Sequence, residues 1–379
     1  MKIQQKNYSV SNGWETLNTN PFDSGLCNLV LAFGSTSLLE NPAIYKQIRE
    51  NYPNADIVMN STAGEIYDIQ VNDDTISLTA LCLERTRIKT VAVQIADVQN
   101  SREAGKYLAD ALKKENLKNI LIISDGQKVN GSELVEGLKK GLPADVIITG
   151  GLAGDGSRFK KTLVGLNESP VEGRIIAIGF YGDHLLVNFG SVGGWDSFGP
   201  ERLITKANEN ILYELDGKPA LDIYKMYLGE YASELPGSGL LFPLSIRKTD
   251  SDESVVRTIL GINEVEKSLT FAGNMPEGTY ARLMKANFDR LIEGASNAAQ
   301  NSVNGITDKP ELAILISCVG RKLVLDQRIE EEVEVVRAMY GHNTAITGFY
   351  SYGEISPNTG FMNCELHNQT MTITTFSEL

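Results

Sequence analysis

The chain has 379 residues and a mass of 41.4 kDa, which at roughly 100 to 200 residues per domain makes two or three domains, each able to bury its own core. Hydrophobic residues at 42% and charged residues at 22% are the composition of an ordinary globular protein, not of a disordered or fibrous one. The 35 Lys and Arg against 48 Asp and Glu leave a net charge of -13, which repels phosphate backbones and anionic head groups and so excludes nucleic acid and membrane surfaces as expected partners.

The opening MKIQQKNYSVSNGWE lacks the apolar stretch of a signal peptide, and no later run approaches the roughly 20 apolar residues that span a bilayer. A cytoplasmic location is therefore expected. Cys27, Cys82, Cys318 and Cys364 are far apart, without C-x-x-C pairing, which argues for reduced buried thiols over zinc ribbons or a disulfide framework.

Three short apolar runs, Asn28 to Phe33, Asn119 to Ser124 and Leu312 to Ser317, read as strands buried on both faces. Each is followed by a helix signal. Asn41-Pro42 precedes Ile44, Tyr45 and Ile48; Ser132 precedes Leu134, Val135 and Leu138, with Gly141 closing. The third helix, from Asp326 to Gly341, has Ile329, Val333, Val336 and Tyr340 at helical spacing, and its Glu330, Glu331, Glu332 and Glu334 read as a solvated face. A second strand follows each helix, at Ala55 to Met59, Asp145 to Thr149 and Thr344 to Thr347, making three parallel crossovers.

The segments after those strands are alike too. Ser61-Thr62-Ala63-Gly64-Glu65, Gly151-Leu152-Ala153-Gly154-Asp155 and Tyr350-Ser351-Tyr352-Gly353-Glu354 share a glycine followed by an acid. Further strands return at Thr75, Arg174 and Met371. The fold class is thus α/β: mixed sheets built from three β-α-β-β-type pseudo-repeats, with an α+β insertion before the last, over about 191 to 305. Within the insertion Gly193 to Pro200 reads as a loop, Ala220 to Leu228 as a helix, Ser254 to Val265 as strands, and Ala281 to Ala299 as a helix. The clearest domain boundary falls near Gly190 to Gly194, and Asn301 to Lys309 reads as a surface linker.

In open α/β sheets ligands sit beyond the carboxyl ends of the strands. The groups there include Ser61, Thr62, Gly64 and Glu65, then Gly154 and Asp155, then Cys318, Arg321, Tyr352, Gly353 and Glu354, which together form the candidate ligand-binding set. Hydroxyls, carboxylates and one Arg suit a small zwitterion such as an amino acid, because Arg grips a carboxylate with two parallel bonds while an acid holds the ammonium. Arg321 with Tyr352 and Glu354 is the expected polar wall. The competing reading is structural: glycine supplies a turn and the acid caps nearby N–H groups. Cys318 beside Arg321 would be a nucleophile if its pKa were lowered, and a buried structural thiol otherwise. The glycines at 150 to 156 match neither nucleotide-binding pattern. His184, His342 and His367 have no metal spacing, though one His alone can hold a haem iron.

Read together, Ser61 to Ile66, Gly150 to Gly156, Gly193-Gly-Trp-Asp-Ser-Phe-Gly-Pro200, Glu214 to Ala220, Ser317 to Arg321, Gly348 to Ile355 and Leu366-His-Asn-Gln-Thr370 resemble, in order, the motifs of the FIST family. Its sensory domain is named for F-box and intracellular signal transduction proteins. The resemblance implies an N-terminal part over 26–190, a C-terminal part over 191–379, and a signal-input module for a small ligand such as an amino acid. Some relatives resemble haem-dependent nitric oxide sensors, which makes a haem-binding gas sensor the alternative and a hydrolase or transferase using Cys318 the third reading. No kinase, cyclase or receiver sequence is attached, so a stand-alone copy is expected to signal through a separate protein such as a kinase or cyclase. No cofactor, no metal and no enzymatic activity are expected under the first reading.

Overall fold

In the computed structural model, residues 1–17, 21–247, 254–305, 308–357 and 364–379 are described. The first unit begins with the strand Leu29–Gly34, every residue of which is buried. The Asn41 side chain accepts from the Ala43 amide, and Pro42 at the first helical position needs no partner for its nitrogen, so helix Pro42–Asn51 starts there and buries Ile44 and Ile48. Strand Asp56–Ser61 then pairs in parallel with the first strand, and Ile76–Cys82 pairs antiparallel on its other side. The same order recurs in Leu117–Ser124, helix Gly131–Gly141, Ile147–Leu152 and Arg174–Tyr181. It recurs again in Leu312–Cys318, helices Val319–Leu325 and Glu331–Tyr340, Ala345–Ser351 and Met371–Glu378.

After its second strand, each unit sends a short segment into the sheet of another. Glu65–Tyr67 pairs with Ala345–Ser351, Val164–Leu166 with Asp56–Ser61, and Gly353–Pro357 with Ile147–Leu152. The opposite edge of each sheet is extended by a strand preceding its unit: Lys2–Ser9, Arg87–Gln94 and Leu185–Val192. Three sheets of one topology are thereby closed on one another in a ring. Alternate residues of their strands, among them Leu31, Phe33, Leu121, Ile123, Ile314, Ile316 and Phe349, meet in one shared core. The residues between them face elsewhere: Val30 and Ala32 join the cluster under helix Pro42–Asn51, while Ile120, Ile122, Ala313 and Leu315 join the cluster under the helices of the other two units. Burial on both faces is what made the runs continuously apolar.

The insertion is antiparallel with a core of its own around Ile204, Leu212, Leu221, Tyr224, Leu269 and Phe271. Three details differ from the sequence reading. The Gly193 to Pro200 segment becomes strand at once, as Trp195–Asn208, because it pairs with Tyr280–Ala286. The helix read over Ala281 to Ala299 is strand Tyr280–Ala286 followed by helix Phe288–Asn301: Leu283 and Met284 are taken by sheet pairing, and the Asn287 side chain caps the helix by accepting from the Arg290 amide. Glu332 does not belong to the solvated face. It is fully buried, for a reason that lies in Arg321. No described helix is long and apolar enough to cross a membrane.

Candidate functional site

The three glycine-acid segments are where the chain leaves one sheet for the next, and they lock onto one another. Ala63 N donates to Tyr350 O and Tyr350 N to Gly64 O, both at 2.8 Å; Gly154 N donates to Ser61 O at 3.0 Å, and Tyr352 N to Leu152 O at 3.2 Å. The glycines are needed for this. Gly64 sits at φ +141°, and a Cβ on Gly154 would stand 2.8 Å from the Ala63 nitrogen.

The acids close the same junction. Glu65 accepts from the Thr62 hydroxyl and from the amide and hydroxyl of Thr75; Glu354 accepts from the Ser351 hydroxyl and from the amide and hydroxyl of Thr370. Thr75 and Thr370 each precede the closing strand of their unit, so the two carboxylates do one job in two copies. Burial pushes the Glu65 carboxyl up to about 7 and that of Glu354 up to about 8, with the hydrogen bonds pulling the other way. The second unit departs from this pattern: Asp155 accepts from the amides of Lys160 and Lys161 and from the Tyr352 hydroxyl, while Phe159 stacks on the Tyr352 ring at 4.4 Å. Burial, then Asp155, pushes the Tyr352 phenol up.

Arg321 is turned away from Glu354. Its guanidinium is fully buried, donating to Glu332 through Nε and Nη2 at 3.1 and 2.8 Å, to Gly193 O at 2.7 Å and to Leu291 O at 2.7 Å. Ser317 and Tyr350 hydroxyls complete the shell of Glu332. This is the buried, fully hydrogen-bonded geometry a charge requires away from water. Cys318 is also fully buried, and burial pushes its thiol well above the usual range, the opposite of what activation would need.

Open space lies one layer further out. A cavity of about 340 Å³ is bounded by Ser191, Gly193, Gly194 and Trp195 where the insertion begins, by Ser254, Val255, Val256 and Met284 of the insertion, and by His367 and Thr370 of the third unit. The buried networks hold its walls: Arg321 carries Gly193 O, Glu354 carries Thr370, and the Trp195 indole N–H donates to Gln369 O at 3.1 Å. The His367 ring nitrogen Nε2 lies 3.0 Å from Ser356 O, and burial, reinforced by the nearby Arg257 charge, lowers its pKa to about 4. A larger depression of about 520 Å³ near Lys2, Asp68, Glu311, Arg337 and His342 is more polar, and its Asp68 and Arg337 are paired with each other.

Family models match this chain over most of its length, the FIST N domain over residues 28–218 and the FIST C domain over 220–357. The chain belongs to the FIST family. FIST domains are signal-transduction sensory domains. No curated protein matches the chain. Among solved structures, cyanuric acid hydrolase from A. caulinodans is similar at 9% identity, covering 77% of this chain and 99% of that one, with a TM-score of 0.18, a likeness that carries no argument.

The FIST motifs divide into two sets in space. Ser61 to Glu65, Gly154-Asp155 and Tyr352 to Glu354 form the buried junction, and none of these residues borders the cavity. Gly193-Gly194-Trp195, His367 and Thr370 border it. The polar groups at strand ends belong to the first set; of the cavity's residues only His367 was a candidate from the sequence, as a haem ligand, and Trp195, Thr370 and Met284 were not. The available signal was Gly193-Gly194-Trp195 and His367-Asn-Gln-Thr370, both among the segments that carry the family resemblance. Among the described residues, no cluster of three His, Cys, Asp or Glu is placed to hold a metal ion.

Proposed function

We propose that this FIST protein is a signal-input protein, not an enzyme, that encloses a small ligand in the 340 Å³ cavity and passes its occupancy to a separate partner such as a kinase or cyclase. One observation carries the reading: the cavity lies between the insertion and the third unit, so an occupant touches both and can bias how they pack. The amino-acid form of the ligand would need a carboxylate grip, and Arg321, the residue suited to it, is fully engaged by Glu332, Gly193 and Leu291. The test is mass spectrometry of small molecules released on denaturing the purified protein, alongside Val256→Phe, which fills the cavity. A molecule released by the wild type and lost in the variant supports the reading; the same release from both places the ligand elsewhere and defeats it.

Haem is a second reading, favoured by one feature: of the three histidines only His367 borders the cavity, His184 and His342 being exposed. With Nε2 against Ser356 O, only Nδ1 is left for an iron, which would supply gas binding at that wall. A Soret band lost in His367→Ala would install this reading; colourless protein made with ample haem precursor removes it.

A further inference from the structure

Resting on that placement of the ligand, we infer that the cavity takes an uncharged molecule with an aromatic or aliphatic body and one or two hydrogen-bonding groups, and rejects amino acids and other small ions. Among the described residues no Lys, Arg, Asp or Glu borders it. Trp195, Met284, Val255 and Val256 give it an apolar wall, and the polar groups facing them, His367 and Thr370 among others, are neutral hydrogen-bonding groups.

Three of the charges close by are committed elsewhere. Arg321 is held by Glu332 and two carbonyls, Glu354 by Ser351 and Thr370, and Asp196 by Arg290 at 2.6 Å. An ion settling in such a half-open space would shed part of its water without gaining a countercharge from the described residues, a loss that a neutral guest of the same shape avoids. Arg257, which follows Val256, is also buried, and it is turned onto the carbonyls of Val256, Leu366 and Asn274. Its field would favour an anion if it reached the cavity, so an anionic probe belongs in the test. His367 is neutral in this setting and adds a hydrogen bond without adding charge.

The probes share one ring: benzyl alcohol, benzoate, benzylamine and phenylalanine, titrated into the full chain by calorimetry. Trp195 emission, isolated in a Trp14→Phe background, reports whether the cavity is the place filled. Benzyl alcohol should bind saturably and shift Trp195 emission, the three charged probes at least tenfold more weakly, and Val256→Phe or, on a second strand of the same sheet, Met284→Phe should remove the binding while retaining the wild-type melting profile. Benzoate or phenylalanine binding as tightly as benzyl alcohol, and lost in the filled variants, would overturn the charge inference and leave the cavity as the site. Binding of benzyl alcohol that survives both filled variants, or no binding of any probe, would overturn the inference as well; only the former, joined to an unchanged release of small molecules by Val256→Phe, would also defeat the cavity as the ligand site. The formal charge of any molecule released from the wild type is an independent reading, and a released ion would refute the inference outright.

Discussion

Replacing Arg321 by Lys should cost this protein stability first and ligand affinity second. The guanidinium makes four hydrogen bonds from a buried position, two to Glu332 and one each to Gly193 O and Leu291 O. A Lys ammonium keeps the charge but is a single point on a flexible stem and cannot reproduce a planar fork reaching three separate acceptors. At least two of the four bonds should be lost. Hydrogen bonds to charged groups contribute about 1.5 to 3 kcal/mol each, and breaking buried ion pairs costs about 3 to 5 kcal/mol, so a loss of about 3 to 5 kcal/mol is expected. Against a typical total of roughly 5 to 15 kcal/mol this is large. Urea denaturation followed by fluorescence should show a lower midpoint with unchanged slope, and Glu332→Gln, which leaves the guanidinium buried without a carboxylate, should match it. Because Gly193 is part of the cavity wall, affinity per folded molecule should also fall. Arg321→Lys within about 0.5 kcal/mol of the wild type would refute the account of the Glu332 network.

Two further outcomes follow from the junction. Tyr352→Phe removes the hydroxyl that meets Asp155 and accepts from the Asp155 and Phe159 amides, so a loss of about 1 to 3 kcal/mol and faster tryptic cleavage at the exposed Arg158 and Lys160 are expected; an unchanged cleavage rate would show that the loop is held by other contacts. Glu65 and Glu354 have folded pKa values near 7 and 8 against 4.5 unfolded, so the native state holds protons that the unfolded chain has released, and their stabilisation, complete below about pH 4.5, is lost as pH rises through 7 and 8. His367, lowered to about 4, acts oppositely and only as pH falls below its ordinary 6.5. Melting temperatures should therefore fall between pH 6.5 and about 8, and fall less in Glu354→Gln; a flat or rising profile in the wild type over that range would contradict the burial of both carboxyls.

The parallel crossovers were legible because burial on both faces leaves strands continuously apolar, and helix starts such as Asn41-Pro42 carry their own chemistry. What the residues could not reveal is that the short strands after Gly64, Gly154 and Gly353 complete the sheets of other units. A strand of three residues such as Glu65-Ile66-Tyr67 has the same local pattern whichever edge it joins; the partner is chosen by closing the ring. Tyr280–Ala286 was misread for a related reason: its apolar residues also fit a helical stripe, and only pairing with Trp195–Phe198 and Leu244–Arg247 decides for strand.

For the site, the difficulty lay in what a buried charge looks like in sequence. Arg321 and Glu354 stood out because polar groups at strand ends are where ligands usually sit, and the same position is where a three-way junction has most backbone to satisfy. Glu332, one of four acids in a helix, was hidden by its neighbours. Its burial follows from Arg321, since the guanidinium must have a carboxylate and Glu332 is one helical face away on the element that follows. A charged residue in a strand-end motif therefore identifies a place the fold must fasten, and only the position of its counter-ion says whether it faces a ligand. Here the counter-ion of Arg321, Glu332, lies inward, Glu354 meets hydroxyls and an amide, and the residues facing the cavity, Trp195, His367 and Thr370 among them, carry no charge among those described.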